Sequence, residues 1–477
     1  MSPTRYLVSI ACLFSTSALP AAEPGPLKAG AATSNITPDL GGDIIGGFKP
    51  IVSTQIHDEL HSRCLALDNG KTKLALVVCD LLGIHRGISD EARRLILAET
   101  GIPKENILIS ATHTHSATSA LGPDWYKSDA PLGDYQKFVA RRIADGVRRA
   151  FANARPAEIA FGTAEAPEHV FNRRWHMRPG TMPANPFGTL DLVKMNPPAG
   201  SPNLLEPAGP TDPTVSFLSL RDLDGKPIAL YAAYSLHYVG GTGPGHVSAD
   251  YFAMFCTEME RLLKTQDSDP PFVAMLANGT SGDINNISFK IPRPGKPPYE
   301  QMRFVARDVA AKVNSALANV KYERDIVLDA RSTELDLASR RPTEEQLTWA
   351  RKTLAAAPED KQQWDLSAIY ADRTLKLNDV PERVETPLQV LRVGPVVIGS
   401  MPCEVFCEIG LEFKERSALK PAFLVSIAHG YMGYLPSPRQ HDLGGYETWI
   451  GTNRLEKEAS VKMLDALVDM TRALKTP

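Results

Sequence analysis

Along this chain, short apolar runs of strand length repeatedly stop at a polar residue able to do chemistry. The runs at 74–79, 106–110, 227–234, 272–277, 388–398 and 423–427 lead to Asp80, His113 and His115, His237, Asp283, Glu404 and Tyr434. Side chains alternate faces along a strand, so His113 and His115, two apart, point the same way and can converge on one metal or one substrate. Helical spacing of apolar residues recurs between the runs, at 89–100, 134–154, 250–263, 299–317 and 455–474, with a charged helical pair between 343 and 375. Asp68-Asn69-Gly70 and 222–225 are hairpin turns between neighbouring runs. Hairpins mixed with strand–helix alternation predict an α/β fold, one large domain over 28–475 with mixed β-sheets and flanking helices. Such folds place their sites at strand ends.

With 477 residues, 43% of them hydrophobic and 22% charged, the chain has ample material for such a core. A net charge of -3 argues against a nucleic-acid groove or a polybasic membrane patch. Residues 1–22 read as a signal peptide, with basic Arg5, an apolar stretch over 6–14 and a small-residue end at Ala21-Ala22. A secreted or periplasmic protein is therefore expected, with no transmembrane segment in the mature chain. Without Cys12 five cysteines remain, which is no disulfide framework; Cys403 and Cys407 are the close pair, read as two buried thiols.

Two loops bear on function. Residues 41–47 are glycine-rich without phosphate-loop spacing, which suggests close backbone packing at the rim of a site. Residues 168–213 are irregular and open on Phe171-Asn172-Arg173-Arg174-Trp175-His176; a loop of this length is either a lid or a solvated insertion. Two or three neutral imidazoles with a carboxylate suit zinc.

The pieces Ile56-His57, Val78-Cys79-Asp80, residues 109–116 around Thr112-His113-Thr114-His115-Ser116, Asn172-Arg173, Leu236-His237, Ser248-Ala249-Asp250, Gly282-Asp283-Ile284-Asn285, Met401-Pro402-Cys403-Glu404 and Gly433-Tyr434 occur in an order that resembles the neutral/alkaline non-lysosomal ceramidase family. The resemblance implies a ceramidase-like catalytic domain and a zinc ion on His113, His237, Glu404 and Tyr434. It makes His115 either a support behind the ligands or a proton carrier, and Arg173 a substrate-binding group. The family's proposed serine nucleophile is replaced by Asn285, whose amide cannot attack. The family's C-terminal β-sandwich is also expected to be missing after the terminal helix.

A zinc-activated water would make that serine dispensable. His115 or Asp283 would then move the proton, and Asn285, Tyr434 or Arg173 would steady the oxyanion. The expectation is a zinc-dependent hydrolase cleaving an amide or related acyl bond in a small-molecule or lipid substrate of sphingolipid type. The arginine-rich loop at 172–178 leaves open an enzyme acting on an anionic glycan or glycoside. A metal-containing protein that only binds is the third reading.

Overall fold

The computed structural model describes residues 23–118, 120–122, 127 and 129–475; the expected signal peptide lies outside them. Eight strands make the larger sheet: β1 (Lys28–Asn35), β2 (His61–Asp68), β3 (Lys73–Cys79), β4 (Ile107–Ala111), β5 (Arg155–Glu165), β6 (Thr214–Asp222), β7 (Pro227–Tyr234) and β8 (Val273–Asn278). Their spatial order is β8-β7-β6-β5-β1-β2-β3-β4, antiparallel except for the parallel pairs β3/β4 and β7/β8. A second sheet holds β9 (Leu328–Ala338), β10 (Arg383–Val393), β11 (Val396–Ser400) and β12 (Ala422–Val425) in that order, with β11 and β12 parallel. Both sheets are mixed, as the hairpins and strand–helix alternation predict.

The core is layered. Leu65, Leu76, Tyr231 and Met275 of the first sheet meet Leu391, Ile398 and Phe423 of the second, and all are buried. On the outer face of the first sheet lie α1 (Arg86–Thr100), α2 (Asp134–Ala152), α3 (Asp250–Leu263) and α4 (Glu300–Leu317). α5 (Glu344–Ala355) and α6 (Leu366–Lys376) pack on each other, and α7 (Cys407–Arg416), the short α8 (Pro438–Leu443) and α9 (Ala459–Lys475) follow. α7 and α9 close the far face of the second sheet.

Local sequence explains the elements. In α1, Ile88, Ala92 and Ile96 fall four apart and bury one stripe, and Gly101 ends the helix at φ 71°, where a side chain would be strained. The helix begins three residues before the expected Ser89. His85 is its cap, accepting from Gly87 N–H, while Ser89 is buried inside the helix.

Two readings change. Asp80 serves no site: it is a fully buried carboxylate paired with Arg63 across β2. The 168–213 segment is not a solvated insertion, since Arg174–Met177 pairs with Val193–Met195 and Leu204–Pro207 and Arg174 is completely buried. Its many prolines and asparagines hid strands only three or four residues long. The cysteines are as expected: Cys403 and Cys407 are buried and free, and so are Cys64, Cys79 and Cys256.

The segment leaving β12 fixes the arrangement. Ser426 N–H donates to Asn278 O at the end of β8, while Ala111 N–H donates to Ile427 O and His429 N–H to Ile109 O on β4. One stretch of four residues thereby ties together the two outermost strands of the eight-stranded sheet.

Candidate metal centre

Each parallel pair delivers a polar residue to the same point. Beyond β4, His113 stands at φ 70°, a left-handed conformation that costs a non-glycine residue about 1–3 kcal/mol. Two bonds hold it there: its N–H donates to Leu81 O at 2.9 Å, and ring Nδ1 lies 2.6 Å from Leu82 O. A carbonyl only accepts, so Nδ1 carries the proton and Nε2 is bare. His237, beyond β7, repeats the device, with Nδ1 3.0 Å from Ser281 O and a buried Nε2 that has no hydrogen-bond partner.

Glu404 follows β11, and its short strand pairs in parallel with Tyr434–Leu435. Its Oε1 accepts the Tyr431 hydroxyl at 2.5 Å, and Tyr434 bonds the same carboxylate. Oε2 has no hydrogen-bond donor, yet it lies 3.1 Å from His113 Nε2 and 3.8 Å from His237 Nε2. Bare nitrogen facing carboxylate oxygen at 3.1 Å is repulsive unless a cation or a proton lies between them. Burial pushes the Glu404 carboxyl up, and the hydroxyls of Tyr431 and Tyr434 pull it the other way.

His115 points its Nε2 at His113 Nε2, 3.0 Å away, and stacks on Tyr238 with ring centroids 3.7 Å apart. Ligand nitrogens of His113, His115 and His237 all lie within 4.8 Å of one another. Burial above all pushes His115 and His237 well below the usual imidazole value, so both rings are neutral. Neutral imidazoles around a partnerless carboxylate oxygen fit a zinc ion in chemistry and in the atoms left unsatisfied.

Arg173 is committed mainly to structure. Its Nε donates to Glu447 at 2.9 Å, Nη2 donates to Gly282 O at 2.8 Å, and its guanidinium lies 5.3 Å from the Tyr434 ring centre, so it braces that tyrosine. Arg174 takes the other Glu447 oxygen at 2.6 Å. Sequence reading missed Glu447, which is fully buried and receives both arginines, because it lies far down the chain in a stretch with no recurring pattern.

The structure does not bring Asp283 and Asn285 into the cluster. Asp283 accepts from Cys407 N–H at 2.8 Å and from Asn172 Nδ2 at 2.7 Å, holding the start of α7. Burial pushes its carboxyl up to about 6. Asn285 donates to Asn196 Oδ1 at 3.0 Å, and it is Asn196 that lines the adjoining cavity.

That cavity, about 930 Å³, has His113, His115, Glu404, Arg173 and Tyr434 on its wall together with Asp43, Ile45, Gly46 and Gly47 of the glycine-rich loop. Gly46 touches His115 so closely that a Cβ would sit 2.2 Å from His115 O. Tyr431 and Tyr238 were not singled out from the sequence. A signal for Tyr431 was at hand in its position three residues before Tyr434.

A family model described as neutral/alkaline non-lysosomal ceramidase, N-terminal, matches residues 28–289. Neutral ceramidase A of Dictyostelium discoideum is 22% identical over 210 residues, covering 42% of this chain and 27% of the relative. The neutral ceramidase of Mycobacterium tuberculosis is 23% identical over 305 residues, covering 60% and 44%. The chain thus spans less than half the length of these curated relatives. A solved ceramidase in complex with C2 superposes with a TM-score of 0.71 at 17% identity, covering 94% of this chain and 75% of that one, which establishes the shared fold.

Proposed function

This chain belongs to the neutral/alkaline non-lysosomal ceramidase family, and on that premise we propose that it is an exported zinc-dependent hydrolase of an amide or related acyl bond. The observation that carries this reading is the buried meeting of two bare imidazole nitrogens with one unpartnered carboxylate oxygen at the cavity floor. His113, His237 and Glu404 would hold the zinc, with Tyr434 beside the carboxylate completing the set. A bound zinc supplies an acidified water and polarises a carbonyl.

The chain's own groups do the rest. Leu82 O and Ser281 O fix the two ligand rings by holding their Nδ1 protons. His115 is the proton carrier, because it is neutral, lies on the cavity wall and touches His113. Glu447 and Gly282 O pin Arg173, whose guanidinium keeps Tyr434 in place. No serine is needed, which agrees with Asn285 turning to Asn196.

The test is metal content and turnover on the same preparations. Near-stoichiometric zinc is expected in the mature wild-type protein, and loss of zinc with at least a hundredfold fall in kcat/KM in His113→Ala and Glu404→Ala. The assay begins with a fluorogenic N-acyl sphingosine and extends to simpler acyl amides. Zinc bound equally by wild type and both variants would sink the assignment. N-terminal sequencing of exported protein tests removal of residues 1–22.

A further inference from the structure

The wall opposite the imidazoles has an unexpected character. α6 and the turn before it contribute Lys361, Arg373 and Lys376, and the glycine-rich loop contributes Phe48 and Lys49. Lys376 is paired with Asp372 at 2.8 Å. The Lys49 ammonium is bonded to the Gln362 carbonyl. Arg373 and Lys361, by contrast, have no carboxylate partner among the described residues. The Arg373 guanidinium lies 5.1 Å from the Tyr370 ring centre and 5.9 Å from that of Phe48, and is hydrogen-bonded to Tyr446. Lys361 Nζ sits 5.0 Å from the Trp364 ring centre.

A half-buried guanidinium that, among the described residues, faces rings and a phenol and no carboxylate is incompletely compensated. A cation–π contact returns about 0.5–2 kcal/mol, less than a bidentate carboxylate would. The unpaired charge opens onto the same cavity as His113 and Glu404. A wall made for two aliphatic chains would be apolar here, and this one carries four cations and a tryptophan.

Resting on the hydrolase reading above, we infer that the substrate carries an oxyanion, received by Arg373 and Lys361 beside the rings of Phe48 and Trp364 while the scissile bond lies at the imidazoles. The guanidinium fork matches a carboxylate in plane, and the rings accommodate the flat or apolar part that bears it. Ligand recognition then sits on α6, and bond cleavage on the two sheets.

The test compares N-dodecanoyl-4-aminobenzoate with its neutral counterpart N-dodecanoyl-4-toluidine on the zinc-loaded protein. A kcat/KM ratio of at least ten in favour of the anion is expected. The ratio should fall below about three in Arg373→Met and recover partly in Arg373→Lys. A wild-type ratio near one, or one favouring the toluidide, overturns the inference. If neither amide is cleaved, the hydrolase reading fails, and calorimetric binding of the aminobenzoate to metal-free protein decides this one separately. Affinity at least tenfold weaker in Arg373→Met supports the site; equal affinity, or no binding by the wild type, refutes it. Should Arg373→Met lose its cooperative melt, Lys361→Met provides the same two readouts.

Discussion

At Asn285 the chain has an amide that donates to Asn196, so its loss should matter to the cavity wall and not to bond breaking. Asn285→Ala is expected to lower kcat/KM less than tenfold, against the several orders of magnitude that follow removal of a true nucleophile. A steady-state comparison with Glu404→Ala checks this. Asp283 makes a second residue-level prediction. Burial raises its carboxyl from 3.8 to about 6, so between those values the folded protein binds a proton that the unfolded chain has released. Its contribution therefore turns unfavourable as pH rises through that window, by about 3 kcal/mol once above it. Subtracting the Asp283→Asn melting curve from that of the wild type across pH 4–7 should reveal a term that falls with rising pH. A flat difference would place the carboxyl in an ordinary environment.

Elements were legible where periodicity was strong and long. The stripes Ile88-Ala92-Ile96 and Val139-Ile143-Val147 announce α1 and α2, and Asp68-Asn69-Gly70 announces the β2/β3 hairpin. The site's strand ends were legible for the same reason, since His113, His237 and Glu404 each follow an apolar run. What failed has a common cause: a pairing between distant elements leaves no local trace. Asp80 ends a strand as His113 does, but only the register of β2 against β3 shows that Arg63 claims it. Arg173 and Arg174 look like surface charges until Glu447 appears between them. The Arg63–Asp80 pair carries its own prediction. Arg63→Met strands a fully buried carboxylate and should cost about 3–5 kcal/mol, measurable by urea unfolding. Restoration by a second change, Asp80→Leu, would separate the stranded charge from simple loss of packing.

For the molecule as a whole, the proposed zinc ligands His113, His237 and Glu404 come from three separated segments, so the ion should stabilise the folded state alone. Raising free zinc to a thousand times its Kd is expected to add about 4 kcal/mol, seen as a zinc-dependent rise in Tm that is absent from Glu404→Ala. A Tm unmoved by zinc in the wild type would refute a resident ion.

The four residues from Ser426 to His429 that fasten both outer strands also set a timetable. His113, His237 and Glu404 are each separated by more than a hundred residues, and the segment that draws their strands together comes after all three. Closing loops of that length precedes any contact that rewards it, so the ion pocket is among the last features to form as the chain folds. An incompletely folded chain has no such pocket to fill. Should the proposed zinc bind, its capture marks completion: only a molecule in which this segment has docked holds the residues that would receive it.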